Sequence, residues 1–138
     1  LEVLNEDTWR TQIDAGKWTI AEVIGHLIPW DTFVLNQRLP YLLTTAPLPI
    51  SPAADVINRH SSAESRNRSK EETIHLFMAT RKKLITELEH LSDEEWKKEF
   101  VIKDNKIALY DYLSGLVEHD LHHFRQVQKV LPSAVWIC

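Results

Sequence analysis

The chain has 138 residues, which is enough to bury the core of one domain without disulfides, and residues 1–138 are predicted to form a single domain. Lys and Arg number 16 and Asp and Glu number 20, so the formal net charge of -4 argues against binding to nucleic acid or to an anionic membrane surface. Cys138 is the only cysteine, which excludes an intramolecular disulfide, and a cytoplasmic location is expected.

The composition favours helices over strands. The chain has only three glycines, and most of its six prolines fall between Pro40 and Pro52, which leaves long uninterrupted stretches elsewhere. No apolar run is long enough for a membrane-spanning helix, so no membrane insertion is expected. Apolar residues near the start, including Trp9 and Ile13, indicate a first helix that stops at residues 14–17 and that is expected to be truncated.

A capping box marks the start of the second helix. The Thr19 hydroxyl and the Glu22 carboxylate can each satisfy a free backbone N–H at a helix start. Apolar residues at helical spacing follow, so a helix is predicted from about Thr19 to Arg38, where Pro40 helps to end it. Pro29 lies inside this helix and is expected to kink it.

A long connection separates the second and third long segments. Residues 41–68 carry Pro, Ser and Thr, and residues 53–59 could form a short helix within them. A second capping signal, Ser69 with Glu72, predicts an amphipathic helix that ends near His90. Such a long crossover is expected to cover one end of a helical bundle.

The remainder of the chain predicts a short helical turn and one long helix. Residues 92–96 repeat the capping signal before the β-prone residues 100–102, so one or two helical turns are expected there. The last helix is predicted from about Ile107 to Leu131, with Val117 among its inward residues. The whole pattern predicts an all-α protein, a four-helix bundle with a long crossover connection and no internal repeat.

Two histidines four residues apart lie on the last predicted helix. His119 and His123 differ by about 40° around the helix axis and by about 6 Å along it, so both imidazoles can reach one coordination sphere. They interrupt the shoulder of the apolar stripe, which directs them at a partner helix. His122 lies nearly opposite the stripe and is excluded from the site. The alternative for such a pair is two half-buried polar side chains without a ligand.

His26 offers a third imidazole on the second predicted helix. It lies on the shoulder of the apolar face, beside the kink expected at Pro29, where Gly25 gives the backbone room to bend. A lone histidine in such a place is usually structural, but convergence of His26, His119 and His123 would form a site for a divalent metal. Three protein ligands leave at least one open position, as in catalytic zinc sites.

Two aspartates interrupt apolar faces, Asp31 on the second helix and Asp120 on the last. Burying either without a partner would be costly. They could orient the ligating imidazoles, or they could pair with Arg81 on the apolar side of the third helix. A structural network is favoured for Asp31, and Asp120 is the candidate catalytic residue, acting behind a metal ligand. With Glu22, they are the candidate proton carriers.

Two segments resemble signatures of the DinB-like superfamily of bacterial metal-binding four-helix bundles. The first is WTIAEVIGHL at residues 18–27, followed by Trp and Asp at positions 30 and 31. The second is EHDLHHFRQV at residues 118–127, in which two histidines four apart precede an Arg/Gln pair. The resemblance covers both helices that carry the histidines. It implies no DNA binding, and it implies a bundle, often a homodimer, with nickel or zinc held by His26, His119 and His123.

The resemblance also implies enzymatic activity. Characterised relatives include thiol S-transferases that use bacillithiol, mycothiol or glutathione, and other members have been described as metal-dependent hydrolases. This chain departs from the common form in having Phe124 between His123 and Arg125, and in its shortened front. These departures leave the subgroup and the substrate open.

A metal-dependent enzyme is the leading hypothesis from the sequence. An open metal position could activate water for hydrolysis, or deprotonate a low-molecular-weight thiol for attack on an electrophile, and the transferase is favoured. The sequence shows no Gly-rich phosphate loop and no internal cysteine nucleophile. The alternatives are a hydrolase and a non-catalytic bundle that binds metal or a small ligand. A small-molecule substrate is expected, and a homodimer could use Trp136 and Ile137 as contact surface.

Overall fold

The structure, a computed structural model, describes residues 4–42, 48–102 and 104–132. Most of this part of the chain is helical. The elements in chain order are α1 (Glu6–Trp9), α2 (Ile20–Gln37), α3 (Leu39–Leu42), α4 (Ala54–Asn67), α5 (Lys70–Glu89), α6 (Asp93–Trp96), β1 (Glu99–Ile102), β2 (Asn105–Ala108) and α7 (Leu109–Val130). The four long helices α2, α4, α5 and α7 form a four-helix bundle, to which a short hairpin is added. The fold class is the predicted one, but α4 takes the place of the truncated first helix that the sequence predicted as a member of the bundle.

Three helices begin where the sequence carries capping signals. At the start of α2, the Thr19 hydroxyl accepts a hydrogen bond from the Glu22 backbone N–H, and the Glu22 side chain accepts one from the Thr19 backbone N–H. The same reciprocal pair links Ser92 and Glu95 at the start of α6. The Ser69 hydroxyl caps α5 by accepting from the N–H three residues on. The predicted positions of these three helices are therefore confirmed.

The first helix ends earlier than the sequence pattern predicts. α1 stops at Trp9, and a turn follows in which the Ile13 N–H donates to the Trp18 carbonyl at 2.8 Å. Gly16, at a φ of 73°, takes the left-handed conformation that this reversal requires. The prediction of a helix up to residues 14–17 was wrong because the turn gives these backbone groups other partners.

The connection after α2 contains a full helix. The sequence predicted only a short one over residues 53–59, whereas α4 extends over Ala54–Asn67. Its buried face consists of Ser61, Ser62 and Ser65. The short-helix prediction was wrong because hydrophobic periodicity cannot detect a helix that packs through serines.

A hairpin precedes the last helix. β1 pairs antiparallel with β2, with Phe100 opposite Ile107, and Asp104 takes a positive φ of 66° in the turn. The β-prone residues 100–102 do form part of a strand. The predicted helix start at Ile107 was wrong because this residue pairs within β2, and α7 begins at Leu109.

α7 is rotated relative to the prediction. Leu113 and Val127 are buried as expected, but Val117 is 56% exposed. The inward face follows the shoulder that carries Asp120 and His123, both partly buried. The prediction that Val117 lies in the core was wrong because polar residues, and not the longest apolar stripe, occupy the middle of this interface.

Two apolar clusters lie at opposite ends of the bundle. One joins the starts of α2 and α5 to the end of α7, and the other joins the later turns of α2 and α5 to the start of α7. α5 therefore runs parallel to α2, and α7 runs antiparallel to both. The buried members are Trp9, Ile20, Ala21, Val23, Ile24, Ile74 and Val127 in the first cluster, and Val34, Leu39, Leu84, Leu109 and Leu113 in the second.

α2 packs most closely on α4 and α5. It continues through Pro29, and Gly25 lies where α2 meets α4: a Cβ there would stand 1.8 Å from Ser65 Oγ. Gly25 therefore allows the close packing of α2 on α4, a role that the sequence pattern does not predict. None of the helices in the described ranges has the length and apolar content of a membrane span.

Candidate metal centre

Three histidines meet between the two apolar clusters. His26 comes from α2 and His119 and His123 from α7, and one ring nitrogen of each lies within 4.8 Å of the others. The Nε2 atoms of His119 and His123 are 3.1 Å apart. The His26 ring centroid lies 4.3 Å from that of His123 and 5.5 Å from that of His119. The structure thus brings together the three residues that the sequence singled out as metal ligands.

His26 forms the buried floor of this cluster. Its side chain is only 1% exposed, and its Nδ1–H donates to the Val23 carbonyl one turn earlier in α2. Because Nδ1 carries the proton in this hydrogen bond, the lone pair of a neutral ring lies on Nε2. The Trp18 ring packs 5.0 Å away and covers part of His26. His26 is therefore fixed in both tautomer and orientation.

His123 is oriented in the same way by a neighbour on its own helix. Its Nδ1–H donates to Gln126 Oε1 at 2.7 Å. This leaves the Nε2 lone pair of His123 facing His119. The role of Gln126 was not deduced from the sequence, although its i,i+3 spacing from His123 is a signal that could have identified it.

The environment keeps these imidazoles uncharged. Burial, opposed by the hydrogen bond to Val23, lowers the pKa of His26 to about 3. Burial also lowers the pKa of His119 and of His123 below the ordinary value of 6.5. All three rings are therefore neutral at physiological pH, which is the form that binds a metal ion.

The donor set fits a divalent cation. Imidazole nitrogens suit zinc and nickel, and two nitrogens bound to zinc at about 2.0–2.1 Å with tetrahedral angles stand about 3.3 Å apart. The 3.1 Å between Nε2 of His119 and Nε2 of His123 is close to that value. His119 is exposed, so one side of the cluster is accessible from solvent. Metal binding by the three residues itself stays a prediction.

An ion network adjoins the histidines. Arg81 of α5 donates from Nε and Nη2 to the two carboxylate oxygens of Asp31, at 2.6 and 3.0 Å. It donates from Nη1 and Nη2 to those of Asp120, at 2.7 and 3.3 Å. Of the two alternatives left open by the sequence, pairing with Arg81 is the one observed for both aspartates. A catalytic role for Asp120 stays a prediction.

Burial and pairing act together on this network. Burial opposes the charge of the Arg81 guanidinium, but its hydrogen bonds to Asp31 and Asp120 outweigh that effect and raise its pKa above the ordinary value. Burial raises the pKa of Asp31, and the Arg81 hydrogen bonds oppose that rise. The charges of Asp120 and Asp31 also favour the protonated form of His119, which places both carboxylates within electrostatic reach of the cluster.

Two other candidates lie outside the cluster. Glu22, a candidate proton carrier, directs its carboxylate at α4, where it accepts hydrogen bonds from Ser62 and Arg66. His122 is exposed and its ring lies 5.0 Å from that of His123, but the cluster found among the described residues does not include it. The exclusion of His122 agrees with this geometry.

Three neutral imidazoles of this bundle point towards one position between its helices. Fold and site together therefore define the class of protein: a helical bundle with a candidate metal centre. The sequence profile of the DinB superfamily matches residues 1–127. The chain therefore belongs to the DinB superfamily, as its two motifs indicated.

A solved structure has a similar fold. YfiT from Bacillus subtilis, described as a "probable metal-dependent hydrolase with an unusual four-helix bundle topology", matches with a TM-score of 0.77. The match covers 99% of this chain and 78% of YfiT at 19% sequence identity, a level that shows the shared fold. Comparison with curated proteins finds no match.

Proposed function

We propose that this chain is a metal-dependent enzyme that holds zinc or nickel with His26, His119 and His123. The observation that carries the proposal is the convergence of three neutral imidazoles, one of them buried, with two Nε2 atoms 3.1 Å apart. A cation held by these residues would supply a Lewis acid that lowers the pKa of a small nucleophile. The three candidate ligands are uncharged, so they would not themselves weaken the attraction of the cation for an anionic nucleophile.

The protein's own residues prepare this chemistry. The Val23 carbonyl and Gln126 Oε1 hold protons on Nδ1 of His26 and His123, which leaves the Nε2 lone pairs for the cation. Trp18 covers part of His26 and limits the access of water to the buried side. The substrate therefore approaches from the exposed side, at His119.

A low-molecular-weight thiol is the nucleophile that we favour, and transfer to an electrophile is the proposed reaction. A thiol has an ordinary pKa of about 8.5, against about 15.7 for water, so it needs less assistance to ionise. Asp31 and Asp120 give both of their oxygens to Arg81, and the ligand cluster found in the described ranges contains no carboxylate. Both carboxylates are thus engaged by Arg81, whereas water activation usually uses a general base that is free to accept a proton. A cytoplasmic location, where such thiols are kept reduced, belongs to this proposal.

Hydrolysis is the second candidate. The description of YfiT as a probable metal-dependent hydrolase favours it, because the two proteins share a fold. A cation can also activate water without a carboxylate when its ligands are neutral imidazoles, as the three-histidine zinc site of carbonic anhydrase shows.

The experiment that separates the candidates uses matched variants of two exposed histidines on α7. Protein loaded with zinc or nickel is assayed for conjugation of an electrophile with bacillithiol, mycothiol and glutathione, and for ester and amide cleavage without thiol. We expect thiol-dependent turnover that His119→Ala abolishes and His122→Ala retains. Thiol-independent cleavage would establish the hydrolase instead. Bound metal without any turnover would establish a binding protein.

A homodimer is also proposed. Met78 and Ile85 of α5 and Val117 of α7 are large apolar side chains that the structure leaves exposed, which suits an interface between copies. Trp136 and Ile137, the contacts suggested by the sequence, lie outside the described residues. Sedimentation equilibrium is expected to give twice the chain mass, and Val117→Lys is expected to weaken the dimer.

A further inference from the structure

The middle of α7 is held to the bundle by polar contacts. Over residues 114–126, all of which the structure describes, no side chain of α7 is fully buried. The buried apolar residues of α7 stand only near its ends, at Leu109, Leu113 and Val127. Between them, the histidine cluster and the Arg81–Asp120 ion pair reach α2 and α5, and the partly buried Leu116 packs against the second apolar cluster. The two polar groups therefore share one interface.

The network of Asp31, Arg81 and Asp120 has one more negative charge than positive charge. Asp31 and Asp120 contribute two carboxylates and Arg81 contributes one guanidinium, and these side chains are only 10%, 16% and 19% exposed. Solvent screens such charges less well than exposed ones. A half-buried excess charge destabilises the protein when no metal is bound. Buried ion networks often contribute little to stability, so stabilisation alone is a weak explanation for this network.

The neighbouring histidines lack negative charge. Three neutral imidazoles provide lone pairs and no negative charge to compensate a divalent cation. The Asp31–Arg81–Asp120 network lies beside them: Asp31 and Asp120 are on the same two helices as the histidines, α2 and α7, and Arg81 is on α5. Asp120 is next to His119 in sequence. The excess negative charge of the ion network therefore lies beside the histidines, which have no negative charge of their own to compensate a cation.

We propose that the Asp31–Arg81–Asp120 network is part of the metal centre, in which Asp31 and Asp120 supply charge compensation for the cation and Arg81 holds both carboxylates beside His119. The inference rests on the proposed function, since it requires that a cation bind. Arg81 suits this role because its planar fork can hold two carboxylates at once, which a lysine cannot do. In this role all three would be positioning residues that act on the metal through His119 and the surrounding charge.

The first test measures zinc affinity by competition with a chromophoric chelator. Asp120→Asn and Asp31→Asn each remove one charge while keeping an oxygen that Arg81 can bond, so both should fold. Each is expected to weaken zinc binding by about tenfold or more, as is typical for partners behind the ligands. Glu64→Gln is the matched control, because Glu64 also pairs with an arginine, Arg68, within one helix and its cap.

The second test separates charge compensation from a structural role. The triple variant Asp31→Leu/Arg81→Met/Asp120→Leu replaces the network by apolar side chains, which is often neutral or stabilising for buried ion pairs. We expect its free energy of unfolding to match or exceed that of the wild type, and its zinc affinity to stay at least tenfold lower. The visible spectrum of bound cobalt reports whether the three-histidine ligand set is retained.

Two outcomes would overturn the inference. Wild-type zinc affinity in both asparagine variants would do so, and so would wild-type affinity in the triple variant. Should one asparagine variant fail to fold, the other decides. Failure of the wild-type protein to bind zinc, nickel or cobalt at all would instead refute the proposed function, so the two failures are distinguishable.

Discussion

His26 shows how burial and chemistry are linked at a single residue. It is only 1% exposed, its Nδ1–H is bonded to the Val23 carbonyl, and its pKa is lowered to about 3 mainly by burial. A buried histidine that resists protonation keeps its lone pair available over a wide pH range. The same property has a cost in stability at acid pH, and that cost can be measured.

The metal-free protein is expected to lose stability as the pH falls from 6.5 towards 3. In this window His26 is protonated in the unfolded chain and neutral in the folded protein, so the free energy of unfolding rises with pH. The full contribution of the neutral His26 to stability is present above pH 6.5. Denaturant titrations of chelator-treated protein should show this slope, and His26→Asn should reduce it. A slope that His26→Asn leaves unchanged would contradict the assignment.

The sequence singled out these candidate ligands because helical spacing is a strong constraint. A separation of four residues places His119 and His123 on one face of a helix whatever surrounds them. The sequence could not identify the hydrogen-bond acceptors that orient the imidazole rings. The acceptors are the Val23 carbonyl, a backbone group that every residue carries, and Gln126, a side chain with many alternative partners.

The contact between α2 and α4 depends on one glycine. Gly25→Ala is expected to lower the free energy of unfolding by about 1–3 kcal/mol or more. The new Cβ would lie 1.8 Å from Ser65 Oγ and 2.9 Å from Ser65 Cβ. Gly115→Ala is the matched control: its Cβ meets nothing within 4 Å, and alanine should stabilise α7 by up to about 1 kcal/mol. Chemical denaturation measures both.

A compensating change gives this prediction a second check. Ser65→Gly removes both atoms that the new Cβ would meet, so Gly25→Ala/Ser65→Gly should recover part of the lost stability. Absence of any recovery, or equal effects of alanine at positions 25 and 115, would show that the helices do not approach as closely as described.

The elements differ in how well the sequence predicts them, and the difference has a physical basis. α2 and α5 combine capping residues with apolar periodicity, so both their type and their position could be predicted. α4 packs through Ser61, Ser62 and Ser65, which a hydrophobic pattern treats as exposed. In α7 the exposed Val117 and the inward Asp120 reverse the usual rule, because the interface here is built around polar groups.

At the scale of the whole molecule, the fold class could be predicted because long amphipathic helices have few ways to bury their apolar faces, although the full length of the bundle helix α4 could not be predicted. The relation between α2 and α7 could not, since their middle contact is made by histidines and an ion network whose pairing depends on the final geometry. That the full 138 residues form a single domain stays a prediction.

Metal binding should stabilise the whole fold. A cation at a free concentration 100 times its dissociation constant adds about 2.7 kcal/mol to the free energy of unfolding when it binds only the folded state. Zinc or nickel should therefore shift the denaturation midpoint of the wild type upward, and magnesium, which prefers oxygen ligands, should not. A shift of equal size in His119→Ala would mean that the ion binds elsewhere.

The most direct measurement of the central claim is the metal content of the purified protein after dialysis against zinc or nickel, determined by elemental analysis. His119 and His122 are both exposed on α7, so alanine at either position should preserve the fold. The wild type and His122→Ala are predicted to retain one ion per chain, and His119→Ala is predicted to retain none. A wild-type protein that retains no ion, or a His119→Ala variant that retains a full equivalent, would contradict the account.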